Sequence, residues 1–233
     1  MKPEIKGFAP SSLVDWDGKI AAAIFLPYCN FKCKFCSNKE LVLSPEKLKT
    51  IPFSEIKEKL EKNREFIDGV VISGGEPTIN PEIVKLCTEI KNLGFKVKLD
   101  TNGSSPEMIS ELIEKKLVDY VAMDIKTSFK NYGKITGFSD TEKIKKSIEI
   151  IKKFPEYEFR MTLFPEIKKE DLIEISEYLK KQEANKSFFL QQFRNWSCID
   201  ENAEKIKPYS KDEIESFLEL IKPYFDKSGI RNI

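Results

Sequence analysis

The 233-residue sequence contains no histidine. This absence excludes several classes of chemistry, namely nucleophiles activated by a histidine base, histidine-ligated metal sites and acid–base catalysis by imidazole. Arginine is also scarce, since it occurs only at positions 64, 160, 194 and 231. Any reaction must therefore depend on cysteine, carboxylate, lysine, arginine or tyrosine side chains, or on a bound cofactor.

Long apolar runs and an excess of one charge are absent as well. No apolar run reaches the ~18 residues that a membrane span requires, and the first twenty residues lack the basic and then apolar order of a secretory signal. The 39 Lys and Arg residues balance 38 Asp and Glu residues, so nothing indicates binding to nucleic acid. Five cysteines, three of them within eight positions, disfavour a disulfide framework. These observations predict a cytoplasmic protein without membrane or nucleic-acid partners.

Short β-branched segments alternate along the chain with longer segments of helical period. Strands are predicted at residues 19–26, 69–73, 95–100, 119–124, 157–163 and 187–193. Helices are predicted at residues 54–66, 81–93, 106–116, 140–154, 168–181 and 211–225. This alternation is typical of βα units around a parallel sheet. Side chains that carry chemistry should then lie at the carboxyl ends of the strands.

Six βα units are too few for a complete eight-unit barrel of ~250 residues. A partial barrel or an open doubly wound sheet remains, and both are α/β folds. The sequence has no internal repeat, no low-complexity tract and no linker rich in proline or glycine. A single domain over residues 1–233 is therefore predicted.

Cys29, Cys33 and Cys36 stand in a C-x3-C-x2-C spacing directly after the first strong strand. A short loop of this spacing can direct three thiolates at one centre, and thiolates select zinc or iron–sulfur clusters. A structural zinc site would need a fourth ligand from Cys87, Cys198 or a carboxylate. Cys87 lies on an apolar helix face and Cys198 in a late loop, so both are interpreted as bystanders. Three thiolates on a four-iron cluster would keep one iron open for a substrate or cofactor.

The same cysteine segment, with Phe35 before the last cysteine, resembles the signature of the radical S-adenosylmethionine superfamily. The resemblance implies a partial (β/α)6 TIM-like barrel and one 4Fe–4S cluster held by Cys29, Cys33 and Cys36. The remaining iron would chelate the amino and carboxylate groups of S-adenosylmethionine. An electron from the reduced cluster would cleave the sulfonium and give methionine and a 5′-deoxyadenosyl radical that abstracts hydrogen. Phe35 would belong to the cofactor site.

A glycine motif, Ser73-Gly74-Gly75-Glu76-Pro77-Thr78, follows the second predicted strand. By itself this segment is typical of a tight turn. Its glycines would also let the backbone approach a ligand closely, and Glu76 could accept a hydrogen bond from an ammonium group. The segment resembles the superfamily's GGEP motif, which binds the methionine amino group.

Two polar segments close the third and fourth predicted strands, Asp100-Thr101-Asn102-Gly103 and Asp124-Ile125-Lys126. By themselves they are typical of an Asx turn and a surface ion pair. Both resemble segments that line the S-adenosylmethionine pocket in activating enzymes for glycyl-radical proteins, where Asp and Thr at these positions sometimes hold a monovalent cation. The predicted cofactor site comprises Phe35, Gly74, Gly75, Glu76, Pro77, Asp100, Thr101, Asn102, Asp124 and Lys126, together with Arg160 if the register of the fifth strand turns it to the same cavity.

The segment from Phe8 to Lys19 resembles the N-terminal segment of glycyl-radical activases, and most closely that of activators of anaerobic ribonucleoside-triphosphate reductase. By that resemblance Asp15 would contact the protein substrate. The domain would comprise an N-terminal arm at 1–18, a cluster-binding loop at 27–38 and a C-terminal extension at about 195–233. Some relatives place a histidine near the sixth strand, where this chain offers Gln191 or Gln192. Residues 129–137 and 195–207 match no motif.

Three functional hypotheses follow. The first is a radical enzyme that abstracts hydrogen from a glycine of a partner protein of the anaerobic ribonucleotide reductase type, and that takes electrons from a donor such as flavodoxin or ferredoxin. The second keeps the radical chemistry but acts on a small molecule or a different peptide. The third is a non-enzymatic iron–sulfur electron carrier or a zinc-clipped scaffold, which leaves the motifs at 74–77 and 124–126 unexplained.

Overall fold

The computed structural model describes residues 4–231. Residues 1–3 of the predicted arm and residues 232–233 of the predicted extension lie outside the described residues. The strands of the described chain are β1 (Gly7–Ser12), β2 (Ala21–Leu26), β3 (Gly69–Gly74), β4 (Lys96–Thr101), β5 (Tyr120–Asp124), β6 (Tyr157–Leu163), β7 (Ser187–Gln192) and β8 (Lys227–Arg231). The α-helices are α1 (Lys39–Leu43), α2 (Phe53–Lys62), α3 (Ile83–Asn92), α4 (Pro106–Glu114), α5 (Tyr132–Thr136), α6 (Thr141–Ile151), α7 (Lys169–Lys181) and α8 (Lys211–Ile221).

The strands follow one another in the sheet in chain order, from β1 to β8. β1 pairs antiparallel with β2, whereas the pairs β2–β3, β3–β4, β6–β7 and β7–β8 are parallel. A doubly wound sheet reverses its strand order at a switch point, so the chain-order sheet contradicts that alternative. The fold is α/β with a parallel-dominated sheet, and its strand order is that of a partial TIM-like barrel.

The six predicted strands and the six predicted helices all form. The prediction omits β1 and β8, whose sequences GFAPSS and KSGIR contain proline or glycine and lack a run of β-branched residues. It also omits α1 and α5, which have five residues each and are too short to show a helical period. Among the described residues, no helix combines the length and apolar character needed to cross a membrane.

The contacts of the chain divide it into two compact units. Unit 1 comprises residues 4–30, Glu40–Thr101 and Glu107–Val121. Unit 2 comprises Phe31–Lys39, Asn102–Pro106 and residues 122–231. The single domain expected from the sequence stays a prediction.

In unit 1, one face of the sheet carries small side chains, and Trp16 lies against it. Trp16 is buried and packs with Ala21, Ala23 and Val71. A Cβ on Gly69 would lie 2.7 Å from the Trp16 ring, so the indole requires glycine at this position. The segment that follows β1 is thus anchored at the amino ends of β2 and β3.

In unit 2, the register of β6 and β7 shows which glutamine shares a face with Arg160. Arg160 and Thr162 lie on one face of β6, and Thr162 pairs with Gln191. Gln192 points to the opposite face, where its Nε2 donates a hydrogen bond to Tyr209 O at 2.8 Å. Of the two candidates to replace the missing histidine, Gln191 is therefore the one on the Arg160 face.

Candidate functional site

The glycine motif in unit 1 holds the backbone that leads into the first cysteine. Gly75 N–H donates to Leu26 O at 2.9 Å, and Glu76 N–H donates to Tyr28 O at 2.8 Å. A Cβ on Gly75 would lie 1.9 Å from Tyr28 O, and a Cβ on Gly74 would lie 2.3 Å from Leu26 O. The chain's own backbone therefore occupies the Cβ position at both glycines, and the close approach of a ligand to Gly74 and Gly75 stays a prediction.

Glu76 is buried, with 1% of its surface exposed, and its Oε1 accepts three hydrogen bonds. The donors are Thr78 N–H at 3.0 Å, Thr78 Oγ1 at 2.5 Å and Thr101 Oγ1 at 2.8 Å. Pro77 is buried at the start of the short 3-10 turn that carries Thr78. The structure thus brings together Glu76, Pro77 and Thr101, and the three bonds fix the orientation of the carboxylate.

Asp100 lies next to a buried lysine that the sequence analysis missed. Lys98 is 2% exposed, and its Nζ lies 3.2 Å from Asp100 Oδ1 and donates to Asp15 O at 2.5 Å. Strand alternation turns Asp100 to the face opposite Thr101. Lys98 therefore links a cofactor-site candidate to the arm residue Asp15, whose contact with a protein substrate stays a prediction. The sequence signal for Lys98 was a charged residue inside an otherwise buried strand.

In unit 2, the end of α5 supports the loop that contains Cys33. Lys32 N–H donates to Thr136 O at 2.7 Å, and Lys34 N–H donates to Ile135 O at 3.4 Å. These two bonds fix the backbone on either side of Cys33. Residues 129–137, which match no sequence motif, are thus one support of the cysteine loop.

A second support comes from the segment after β7. Ile199 N–H donates to Cys36 O and Asp200 N–H donates to Lys34 O, each at 3.1 Å. Cys198 is fully buried beside this contact, and burial raises the pKa of its thiol, with a smaller contribution from the nearby Cys36. The structure therefore places Cys198 against the cysteine loop, which the sequence could not show.

Asp124, at the end of β5, lies between two cations. Its Oδ1 accepts from Arg160 Nε at 2.9 Å, and its Oδ2 accepts from Lys126 Nζ at 3.1 Å. Burial would raise the pKa of Asp124, but the charges of Arg160 and Lys126 outweigh burial and lower that pKa to about 2. Burial would likewise lower the pKa of Lys126, but Asp124 and Cys33 raise it. Arg160 is only 7% exposed, so this is a buried charge cluster rather than a surface ion pair.

Tyr132, the first residue of α5, is a further member of this cluster that the sequence analysis missed. It is fully buried, its hydroxyl accepts Lys126 N–H at 3.4 Å, and it interacts electrostatically with Cys33 and Asp124. Burial raises the pKa of Tyr132, so the hydroxyl keeps its proton. The sequence alone does not indicate that Tyr132 belongs to this charge cluster, since a tyrosine in a short helix is most often a core residue.

Two other predicted cofactor residues have structural contacts in unit 2. Phe35 is 7% exposed, and its ring centroid lies 5.2 Å from that of Phe164. Asn102 Oδ1 accepts Ser104 N–H at 2.9 Å, which is the Asx turn expected from the residue types alone. Contact of Phe35 and Asn102 with a cofactor stays a prediction.

The cysteine chemistry fits an iron–sulfur cluster. All five cysteines are free thiols, and Cys87 is fully buried, with a pKa raised by burial to about 12, as expected for a bystander. Within residues 4–231, no three His, Cys, Asp or Glu side chains lie close enough to hold one metal ion. A cubane cluster binds each thiolate through a different iron, and thiolates are the ligands it selects.

Comparisons with known proteins agree with this chemistry. Residues 23–179 match the family described as the Radical SAM superfamily. A Methanocaldococcus jannaschii protein, provisionally named a glycyl-radical enzyme activating enzyme, is 34% identical over all of this chain and 98% of its own length. A Methanococcus vannielii protein, provisionally named a GTP 3′,8-cyclase, is 34% identical over 53% of this chain and 41% of its own length.

Among solved structures, Streptococcus suis SuiB bound to S-adenosylmethionine has a TM-score of 0.65 and 17% sequence identity. The match covers 90% of this chain and 52% of SuiB, so the chain spans about half of that protein. At this identity the likeness is one of fold.

The close approach at Gly75 leads to a stability prediction. Gly75→Ala should lower the free energy of unfolding by about 2 kcal/mol, because the new Cβ cannot avoid the Tyr28 carbonyl. Anaerobic denaturant titration of the purified protein measures this change. Gly229→Ala is the matched control, since its Cβ would lie 3.3 Å from the Phe189 side chain and should cost less than about 0.5 kcal/mol. If the two variants had equal free energies of unfolding, the close approach of the Tyr28 carbonyl to Gly75 would be contradicted.

Proposed function

The chain belongs to the radical SAM superfamily, and on this premise we propose that it installs a glycyl radical in a partner protein. Membership makes the protein an oxidoreductase that uses a 4Fe–4S cluster with three cysteine ligands together with S-adenosylmethionine. The hypothesis of a non-enzymatic electron carrier or zinc scaffold is therefore wrong. Cluster and S-adenosylmethionine, when bound, supply the 5′-deoxyadenosyl radical that removes a hydrogen atom from the substrate.

In this proposal Cys29, Cys33 and Cys36 ligate the cluster. Their spacing suits three thiolates on one cubane, and hydrogen bonds from α5 and from residues 199–200 hold Cys33 and Cys36 in a fixed backbone conformation. Cys87, which is buried on α3, is not among the proposed ligands. Cys198 lies beside Cys36 but outside the motif, so it packs against the loop instead of ligating the cluster.

Glu76 would accept hydrogen bonds from the amino group of S-adenosylmethionine. The support for this role is that its carboxylate is buried and already oriented by Thr78 and Thr101. A carboxylate oriented in advance loses little freedom when a cation binds, so more of the interaction appears as affinity. The backbone around Glu76 would be fixed by Gly74, Gly75 and Pro77, which would help to keep the Glu76 carboxylate in this orientation.

Lys126 and Arg160 would face the carboxylate and ribose of S-adenosylmethionine. Asp124 holds both cations and stays ionised at neutral pH, so their positions are set before the cofactor binds. Of the two residues expected to hold a monovalent cation, Thr101 lies on the Glu76 face of β4 and would be the one to contact it, whereas Asp100 lies on the opposite face and pairs with Lys98. Phe35 and Asn102 complete the proposed pocket.

The observation that carries the glycyl-radical proposal is the 34% identity, over all of this chain and 98% of the relative, to the Methanocaldococcus jannaschii protein provisionally named a glycyl-radical enzyme activating enzyme. A protein substrate also needs a surface to bind. The segment around Asp15 offers one, because Leu13 is 74% exposed and Val14 is 72% exposed. The proposed partner is of the anaerobic ribonucleotide reductase type, with flavodoxin or ferredoxin as electron donor. The proposal places the protein in the cytoplasm, where cysteine ligands stay reduced.

A small-molecule substrate is the second candidate. The observation in its favour is the 34% identity to the GTP 3′,8-cyclase of Methanococcus vannielii. That match covers 53% of this chain, whereas the match to the activating enzyme covers all of it. The full-length likeness therefore favours the protein substrate.

Removal of the charge on Asp124 should weaken cofactor binding. Asp124→Asn leaves Lys126 and Arg160 without their shared anion, so the Kd for S-adenosylmethionine should rise by a factor of about 10 to 100. Equilibrium dialysis with the cluster-loaded protein measures this affinity. Asp119→Asn is the matched control, because Asp119 lies just before β5, whereas Asp124 ends that strand, and the Asp119 carboxylate is 2.8 Å from Lys91 Nζ. A similar loss of affinity for S-adenosylmethionine in both variants, or no loss of affinity in Asp124→Asn, would contradict the proposed pocket.

The substrate proposal is tested by deuterium transfer. An anaerobic ribonucleotide reductase that carries α-deuterated glycine is incubated with the reduced enzyme and S-adenosylmethionine. The expected result is deuterium in 5′-deoxyadenosine together with a glycyl-radical signal in electron paramagnetic resonance. GTP is offered in a parallel reaction. Consumption of GTP with no deuterium transfer from the reductase would overturn the proposal in favour of the second candidate.

A further inference from the structure

We propose that Arg231 is a positioning residue of the cofactor pocket, which keeps Arg160 paired with Asp124 by occupying a competing carboxylate, that of Glu158. This inference rests on the proposed pocket of Asp124, Lys126 and Arg160. It does not depend on which substrate donates the hydrogen atom.

The strand register places Glu158, Arg160 and Arg231 on one face of the sheet in unit 2. Glu158 and Arg160 lie two positions apart on β6, so their side chains point the same way. Arg160 pairs with Phe189 on β7, and Phe189 pairs with Gly229 on β8. Arg231 follows Gly229 by two positions and therefore shares its face.

The guanidinium of Arg231 holds both oxygens of the Glu158 carboxylate. Its Nη1 donates to Glu158 Oε1 at 2.6 Å, and its Nη2 donates to Glu158 Oε2 at 2.7 Å. Glu158 is 1% exposed, and the Arg231 guanidinium lies over the Phe189 ring, with Cζ 3.8 Å from the ring centroid. Two parallel hydrogen bonds and a stacked ring fix this guanidinium more firmly than a surface ion pair would.

Two carboxylates are placed to compete for Arg160. Asp124 Oδ1 accepts from Arg160 Nε at 2.9 Å. Glu158 lies about 7 Å from Arg160 along the strand, which two long side chains can span. A buried carboxylate without a cation is strongly unfavourable, so Glu158 would draw Arg160 away from Asp124 if Arg231 did not neutralise it. Arg231 therefore leaves Arg160 to Asp124.

Arg231 also sets the charge of this group of side chains. The carboxylates of Asp124 and Glu158 are matched by three cations, Lys126, Arg160 and Arg231, so the five side chains carry one positive charge in excess. That excess favours the carboxylate of S-adenosylmethionine in the proposed pocket. Without Arg231 the remaining four charges would cancel, and the pocket would attract an anion less strongly.

The first test follows the Arg160 Nε–H by nuclear magnetic resonance of ¹⁵N-labelled protein. The chain has only four arginines, and the Arg160 signal is assigned by its loss in Arg160→Lys. Arg231→Gln should shift this signal, because Arg160 then shares its hydrogen bonds between Glu158 and Asp124. The double variant Arg231→Gln with Glu158→Gln removes the competitor and should restore the wild-type position.

An unshifted Arg160 signal in Arg231→Gln overturns the proposal. If Arg231→Gln does not fold, Arg231→Lys keeps the charge but cannot hold both Glu158 oxygens in the same way. Arg231→Lys should then shift the Arg160 signal, and an unshifted signal in that variant overturns the proposal equally.

The second test measures the Kd for S-adenosylmethionine by equilibrium dialysis with the cluster-loaded protein. Arg231→Gln should raise this Kd about tenfold, whereas Glu158→Gln, which breaks the same ion pair from the other side, should change it by less than about twofold. The double variant should return to a Kd near that of the wild type. Equal losses of affinity in the two single variants would mean that the ion pair only supports the fold, and would overturn the proposal.

The two tests separate this inference from the proposed pocket on which it rests. A shifted Arg160 signal with an unchanged Kd in both Arg231→Gln and Asp124→Asn would overturn the pocket itself. An unshifted Arg160 signal in Arg231→Gln, with the expected loss of affinity in Asp124→Asn, would overturn the role of Arg231 alone.

Discussion

Backbone hydrogen bonds hold the irregular cysteine segment in one conformation, and the rest of the proposed site depends on them. In unit 1 the amides of Gly75 and Glu76 hold the backbone up to Tyr28. In unit 2 the end of α5 and the amides of residues 199–200 hold the loop that carries Cys33 and Cys36. A segment without helix or strand has no repeating bonds of its own, and each unpaired buried amide would cost about 1–3 kcal/mol. The supports therefore determine where the thiols lie.

The absence of histidine is consistent with the electrostatics of this site. Asp124 has a pKa near 2, and Lys126 has a pKa raised above its usual value, so neither changes charge near neutral pH. Such groups bind and orient a zwitterionic cofactor, but they do not exchange protons with it. Radical chemistry supplied by a cluster and S-adenosylmethionine needs no imidazole, and fixed charges suffice to position the cofactor.

The sequence predicted the strands with strong hydrophobic patterns, the helices between them and the cysteine motif. It did not predict β1 and β8, because their stability comes from pairing at the edges of the sheet rather than from local propensity. The structure adds that the backbone of Leu26 and Tyr28 requires glycine at positions 74 and 75, which the sequence could not show, and the contact of these glycines with a cofactor stays a prediction. Lys98 and Tyr132 were missed because their importance depends on partners distant in the sequence.

Formation of 5′-deoxyadenosine by the reconstituted enzyme tests the central claim most directly. The protein is loaded anaerobically with iron and sulfide, reduced and supplied with S-adenosylmethionine. Wild type and Cys87→Ala should produce 5′-deoxyadenosine, whereas Cys29→Ala, Cys33→Ala and Cys36→Ala should each produce none. Continued cleavage in any of these three variants, or loss of cleavage in Cys87→Ala alone, would contradict the proposed cluster site.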